Sequence, residues 1–287
     1  MIAPQSQSVV ANRLTHHLLE WNGDGPPVLL LHGFLEHAHV WDFVAPRLAA
    51  AGHRVLALDW RGHGDSQWVG AGGYYHFADY VADLAGLVRA LGGRVSLVAH
   101  SMGGNAAALY AGTEPERVAA LVAIEGLGPA DSDPAEAPAR FAGWLADLDR
   151  IAARARAPFS AADAVARLRV SYPRLTPHVL EQLARWGTRP AEGGLVWKFD
   201  PLHRTRTPQP FYIRQARAFW ERVQCPVLYV EGAESPLRLP DDERELRLTV
   251  LRARRATIAA SGHHPHLEQP EALARVLIEF LRGARAT

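Results

Sequence analysis

An α/β protein built on a mostly parallel sheet is the fold class that this 287-residue sequence predicts. Three observations carry the prediction. Short β-rich apolar runs alternate with helical patterns from Pro26 to about Ile124. The same rhythm resumes after Gln224. No internal repeat or low-complexity tract interrupts it.

In chain order, Leu14 to Trp21 alternates weakly and reads as an antiparallel edge strand. Pro27 to Leu31, Arg54 to Asp59, Arg94 to Ala99 and Val118 to Ile124 read as parallel strands. Helical patterns lie between them: Val40 to Ala51, ended by Gly52; Phe77 to Leu91, ended by Gly92 and Gly93; and Met102 to Thr113, followed by Pro115. After Glu125 the texture changes to Gly, Pro and Asp, then to Arg/Ala-rich helical segments broken by Pro158, Pro173 and Pro177, without a convincing strand run. This stretch reads as a helical insertion. Val227 to Glu231 is then a strand, Asp241 to Val250 a helix, Thr257 to Ala260 a short strand and Pro270 to Arg282 a closing helix.

Composition narrows the function classes. With 31 Lys+Arg against 30 Asp+Glu, the net charge of +1 gives no electrostatic reason to bind nucleic acid or an anionic membrane. A chain of this length buries roughly 75% of its unfolded surface, so it needs no disulfide or structural metal. The single cysteine, Cys225, cannot form an internal disulfide and reads as a buried thiol. No stretch approaches the ~20 apolar residues of a membrane span. The opening MIAPQSQSVVANRL lacks a basic region and an apolar signal core, so the protein is expected to be soluble and cytoplasmic. Its 14 histidines are the unusual count.

The strongest motif is Ala99-His100-Ser101-Met102-Gly103-Gly104, between an apolar strand and a helical run. A sharp strand-to-helix turn needs small residues two positions either side of its centre, which Ala99 and Gly103 supply. Such a turn lifts the Ser101 hydroxyl above the sheet and aims the first helical amides beside it. A serine near two glycines also suits a simple helix N-cap. The earlier Leu31-His32-Gly33-Phe34 favours the turn, because acyl transfer needs two backbone donors at the oxyanion. Phe34 and Met102 are the expected pair, with Gly33 allowing close approach.

These residues carry a resemblance. Together with Asp59-Trp60-Arg61-Gly62-His63-Gly64-Asp65-Ser66 and Gly262-His263-His264-Pro265-His266-Leu267-Glu268, they make the chain similar to α/β-hydrolase-fold serine hydrolases over nearly its whole length. Gly193-Gly194 through Trp197-Lys198-Phe199-Asp200-Pro201 adds a likeness to the group called serine hydrolase-like proteins. The resemblance implies an eight-stranded-type sheet with helices on both faces. It implies a hydrolase core formed by residues 1–125 and 225–287 and a helical cap over 126–224. It makes Asp59 to Ser66 a structural loop.

A serine hydroxyl needs an imidazole to take its proton, and the imidazole needs an acid partner. His263 stands where the family places its base, with His264 and His266 as local rivals. A metal reading of these three lacks a companion motif such as HExxH, and neither metal nor cofactor is expected. The acid departs from the family pattern, which implies Asp in a Gly-x-x-Asp arrangement. Gly232-Ala233-Glu234-Ser235 puts Ser in that slot. Glu125, ending the strand Val118 to Ile124, is the expected acid, as in some members of the fold, and Glu234 is the alternative.

The leading expectation is a serine hydrolase of small-molecule carboxylic esters acting through an acyl-enzyme on Ser101. Lactone, thioester, amide or carbon–carbon bond cleavage, or a non-catalytic ligand-binding role, are the alternatives. Oligomeric state is not legible. The cap aromatics Phe141, Trp144, Trp186, Trp197, Phe211, Tyr212, Phe219 and Trp220, and Glu36, His37, Trp41 and Tyr74-Tyr75-His76, are candidates for pocket or entrance.

Overall fold

The computed structural model describes residues 3–153 and 157–284. The strands among the described residues are β1 (Gln5–Ala11), β2 (Leu14–Trp21), β3 (Pro27–Leu31), β4 (Arg54–Leu58), β5 (Val95–His100), β6 (Val118–Ile124), β7 (Thr188–Ala191), β8 (Gly194–Trp197), β9 (Val227–Gly232) and β10 (Arg254–Ile258). The helices are α1 (Ala45–Ala50), α2 (Phe77–Leu91), α3 (Met102–Thr113), α4 (Ala137–Ala152), α5 (Ala161–Ser171), α6 (Pro177–Gly187), α7 (Ile213–Trp220), α8 (Asp241–Leu251), α9 (Pro265–Glu268) and α10 (Pro270–Ala284).

Eight strands form one sheet in the order β1-β2-β4-β3-β5-β6-β9-β10, antiparallel at β1/β2 and β2/β4 and parallel from β4 onward. The parallel strands are covered on both faces, as crossover helices require. Alternate residues serve the two cores. Leu29, Leu31 and Leu97 pack with Ala107 and Tyr110 of α3, whereas Leu30 and Val98 pack with Leu273 and Leu277 of α10. Cys225 is buried as a free thiol.

Four expectations change. β2 is not the edge, because Gln5–Ala11 pairs along its whole length and takes the outer position. Gln-Ser-Gln-Ser carries little apolar signal, since half of an edge strand faces water. The pattern Val40 to Ala51 divides into a 3₁₀ turn, Ala38–Trp41, and α1. The insertion contains the β7/β8 hairpin, turning at Gly193 with φ 80°; its strands are four residues long and hold Pro190, too short for a sequence pattern. Finally, β10 begins earlier than Thr257, because Arg255 at this edge is neutralised by Glu231 on β9. None of the helices among the described residues is long and apolar enough to cross a membrane.

The Asp59 to Ser66 loop is scaffolding in its contacts. Asp59 accepts hydrogen bonds from the Ala38 amide at 2.6 Å, the Asp65 amide at 3.0 Å and His17 Nδ1 at 2.7 Å. Arg61 forks onto Asp83 at 2.6 and 2.5 Å. Both devices fix the loop against β2, α2 and the turn after β3.

Candidate active site

Ser101 caps α3 with φ 49° and ψ −115°, a conformation a non-glycine residue holds only when its surroundings impose it. Its amide is fixed by a 2.8 Å bond to the Ile124 carbonyl. The chain can turn this tightly because position 103 is glycine. A Cβ there would lie 2.7 Å from the carbonyl oxygens of both Leu31 and His32.

The end of β6 supplies the second group. Glu125 also has positive φ, 53°, and its amide donates to the Val230 carbonyl of β9 at 2.8 Å. This turns the carboxylate along the top of the sheet. Its Oε2 lies 3.1 Å from His263 Nδ1, and His263 Nε2 lies 3.1 Å from Ser101 Oγ. The Ser235 hydroxyl donates to Glu125 Oε2 at 2.6 Å and the Gly232 amide to Oε1 at 2.8 Å. Burial pushes the Glu125 carboxyl up, but the bonds from His263, Ser235 and Gly232 outweigh it and hold the group below the usual carboxylate range.

The other expected residues are placed as follows. The Glu234 carboxylate pairs with Arg174 at 2.8 Å on the surface. The amides of Phe34 and Met102 donate to no other group among the described residues. Met102 is the first residue of α3, so its N–H is one of the unpaired donors of a helix start. The Phe34 loop is drawn close by Gly33, where a Cβ would stand 2.6 Å from His100 Nδ1. The histidine bonded to Ser101 is His263, not His264 or His266. They lie 3.8 and 3.7 Å from Glu36 Oε1, and burial pushes them down to about 2 and about 4.

Phe34, Leu35, Glu36 and His37 line a cleft of about 230 Å³, closed from the insertion by residues including Tyr172, Leu183, Trp197 and Phe199. Arg167, Lys198 and Arg204 bring positive charge to its walls. Of the eight aromatics of the insertion singled out in the sequence, Trp197 alone lines this cleft. Trp220 is in the core against the sheet, and Trp186 stacks on His39 at 3.8 Å. Trp41 is fully buried, and the Tyr75 hydroxyl donates to Asp200 at 2.9 Å, tying the insertion to the core. Sequence reasoning gave Glu36 only an entrance role, although its carboxylate binds the Gly33 amide at 2.6 Å and His100 at 3.1 Å. The available signal was its spacing, three residues after a glycine in a tight turn.

A strand-turn-helix serine above a mostly parallel eight-stranded sheet, with a histidine and a carboxylate in line, defines a class of α/β enzymes. The chain belongs to the α/β hydrolase fold family, whose profile matches residues 26–270. A serine hydrolase-like protein of Danio rerio is 29% identical over 268 residues, spanning 90% of this chain and 82% of the relative. An esterase of Mycobacterium tuberculosis is 29% identical over 294 residues, spanning 99% and 90%. Among solved structures, the thioesterase domain from the curacin biosynthetic pathway matches with a TM-score of 0.87 and 28% identity, over 96% of this chain and 99% of that one.

Proposed function

We propose that the protein hydrolyses carboxylic esters of small molecules through an acyl-enzyme on Ser101. The observation that carries this reading is the unbroken line of hydrogen bonds from Glu125 through His263 to Ser101, both links 3.1 Å. The esterase and serine hydrolase-like relatives support it. His263 Nε2 takes the Ser101 proton as Oγ attacks the carbonyl carbon, and the oxyanion is received by the amides of Phe34 and Met102. His263 then gives that proton to the leaving alkoxide, and the alcohol departs. Water repeats the sequence on the acyl-enzyme, releasing the acid and restoring Ser101. Glu125 fixes the proton of His263 on Nδ1 and stabilises the imidazolium. Residues 126–224 serve as the cap, whose Trp197 and Phe199 give the substrate an apolar wall.

Thioesters belong in the same test, because a thioesterase domain is among the solved structures that this chain resembles. The decisive measurement is hydrolysis of p-nitrophenyl and thiophenyl butyrate by the wild type and Ser101→Ala, with fluorophosphonate labelling of both. Loss of labelling and of turnover in the variant is the expected result. Unchanged turnover in Ser101→Ala would overturn the reading.

A further inference from the structure

We propose that Glu36 and His100 form a buried carboxylate–imidazolium couple that positions the catalytic groups, tying the oxyanion loop and the loop of the base to the nucleophile turn. The proposal rests on the functional reading above. Both side chains are buried, at 3% and 1% exposure. His100 Nδ1 lies 3.1 Å from Glu36 Oε2, and His100 Nε2 lies 2.9 Å from the backbone oxygen of His263. A carboxylate oxygen that already takes an amide and a carbonyl oxygen can only accept. A neutral imidazole would leave one ring lone pair against an oxygen, so His100 donates from both nitrogens and carries a charge.

Neighbouring histidines show the contrast. His32 donates from Nδ1 to the Gly33 carbonyl at 2.7 Å, but its Nε2 accepts from the Trp60 amide at 3.1 Å. His63 is likewise bonded to the Arg61 carbonyl at 3.0 Å and accepts from the Leu35 amide at 3.3 Å. An acceptor role at one nitrogen makes each of these neutral, and burial pushes both down. Burial pushes His100 down as well, but Glu36 and the His263 carbonyl outweigh it and hold it above its ordinary value.

The groups facing the couple leave His100 as the cation that answers Glu36. His264 and His266, on the loop of the base and α9, are neutral near pH 7 because burial holds them at about 2 and about 4. Tyr172, after α5, is pushed up by burial and by Glu36, and stays protonated. Glu125, at the end of β6, is engaged by His263, Ser235 and Gly232. A buried ion pair is often no better for stability than an apolar replacement. What this one does is join three loops: Glu36 Oε2 also accepts from the Gly33 amide at 2.6 Å, next to Phe34; His100 adjoins Ser101; and the His263 backbone is the third contact.

Glutamine cannot reproduce this. If its oxygen takes the shared position, His100 becomes an uncompensated buried cation; if its nitrogen does, the Gly33 bond is lost. The test is ¹⁵N NMR of histidine-labelled protein at pH 8, with His100→Asn to assign the signal, beside kinetics of Glu36→Gln. We expect both His100 nitrogens protonated in the wild type. In Glu36→Gln we expect kcat to fall by about 10- to 100-fold with KM little changed, since an oxyanion amide acts chiefly in the transition state. A His100 protonated on one nitrogen at pH 8, a wild-type kcat in Glu36→Gln, or a kcat that only follows the folded fraction measured by circular dichroism would overturn it. A wild-type Ser101 inert to fluorophosphonate would remove the hydrolase reading and the positioning role with it, while the NMR result alone would still decide the charge on His100.

Discussion

Ser235 donates its hydroxyl to the same Glu125 oxygen that faces His263, at 2.6 Å, so the residue occupying the Gly-x-x-Asp slot supports a carboxylate supplied by the neighbouring strand. The Glu125 carboxylate is thus held between the end of β6 and the loop after β9. β6 and β9 are adjacent and parallel, which brings the end of one strand beside the loop that follows the other.

Glu125→Gln should lower kcat by about 10³- to 10⁴-fold, as loss of the acid partner leaves the imidazole in the wrong tautomer. Adding Ser235→Asp to Glu125→Ala should recover part of the activity, since the new carboxylate enters the space that Glu125 Oε2 vacates. Steady-state ester hydrolysis on the single and double variants checks both statements.

Glu234→Gln should leave turnover unchanged. Glu234 meets Arg174 across an exposed surface, where solvent screens such pairs. A large loss of kcat in this variant would transfer the acid role from Glu125 to Glu234.

Gly103→Ala should destabilise the fold by about 1–3 kcal/mol and slow fluorophosphonate labelling of Ser101, because its methyl meets two backbone carbonyl oxygens that cannot rotate away. Urea unfolding, read against the labelling rate, separates the two effects.

Stability should fall steeply on acidification below pH 6.5. Burial holds His37 and His266 at about 4 and His203 at about 3, whereas the unfolded chain protonates them near their ordinary value of about 6.5. Between those limits the unfolded state binds one more proton at each of these three, which alone lowers stability as pH falls by up to about 4 kcal/mol per pH unit, and His264, held at about 2, acts in the same direction. His100 runs the other way. Its pKa is raised, so its contribution is full below about 6.5 and is lost as pH rises through the folded value. Thermal melts from pH 9 to pH 4.5 should show a steep acid limb, and a flat profile between pH 6.5 and 4.5 would contradict the buried neutral histidines.

The parallel sheet, the turn at Ser101, the loop at Gly33 and the histidine after the last strand are legible in the sequence, because each depends on short-range chemistry: apolar runs, small residues at a strained turn and loop position. It missed β1 and the β7/β8 hairpin, whose pairing partners rather than their own patterns make them strands. It favoured Glu125 as the acid and kept Glu234 as the alternative, since a carboxylate's reach is set by backbone direction. The fold brings Glu125 to His263, through the positive φ of Glu125 and the bonds from Ser235 and Gly232. The same holds for Glu36 and His100, 64 residues apart, whose charge states follow from acceptors brought together by three separate loops.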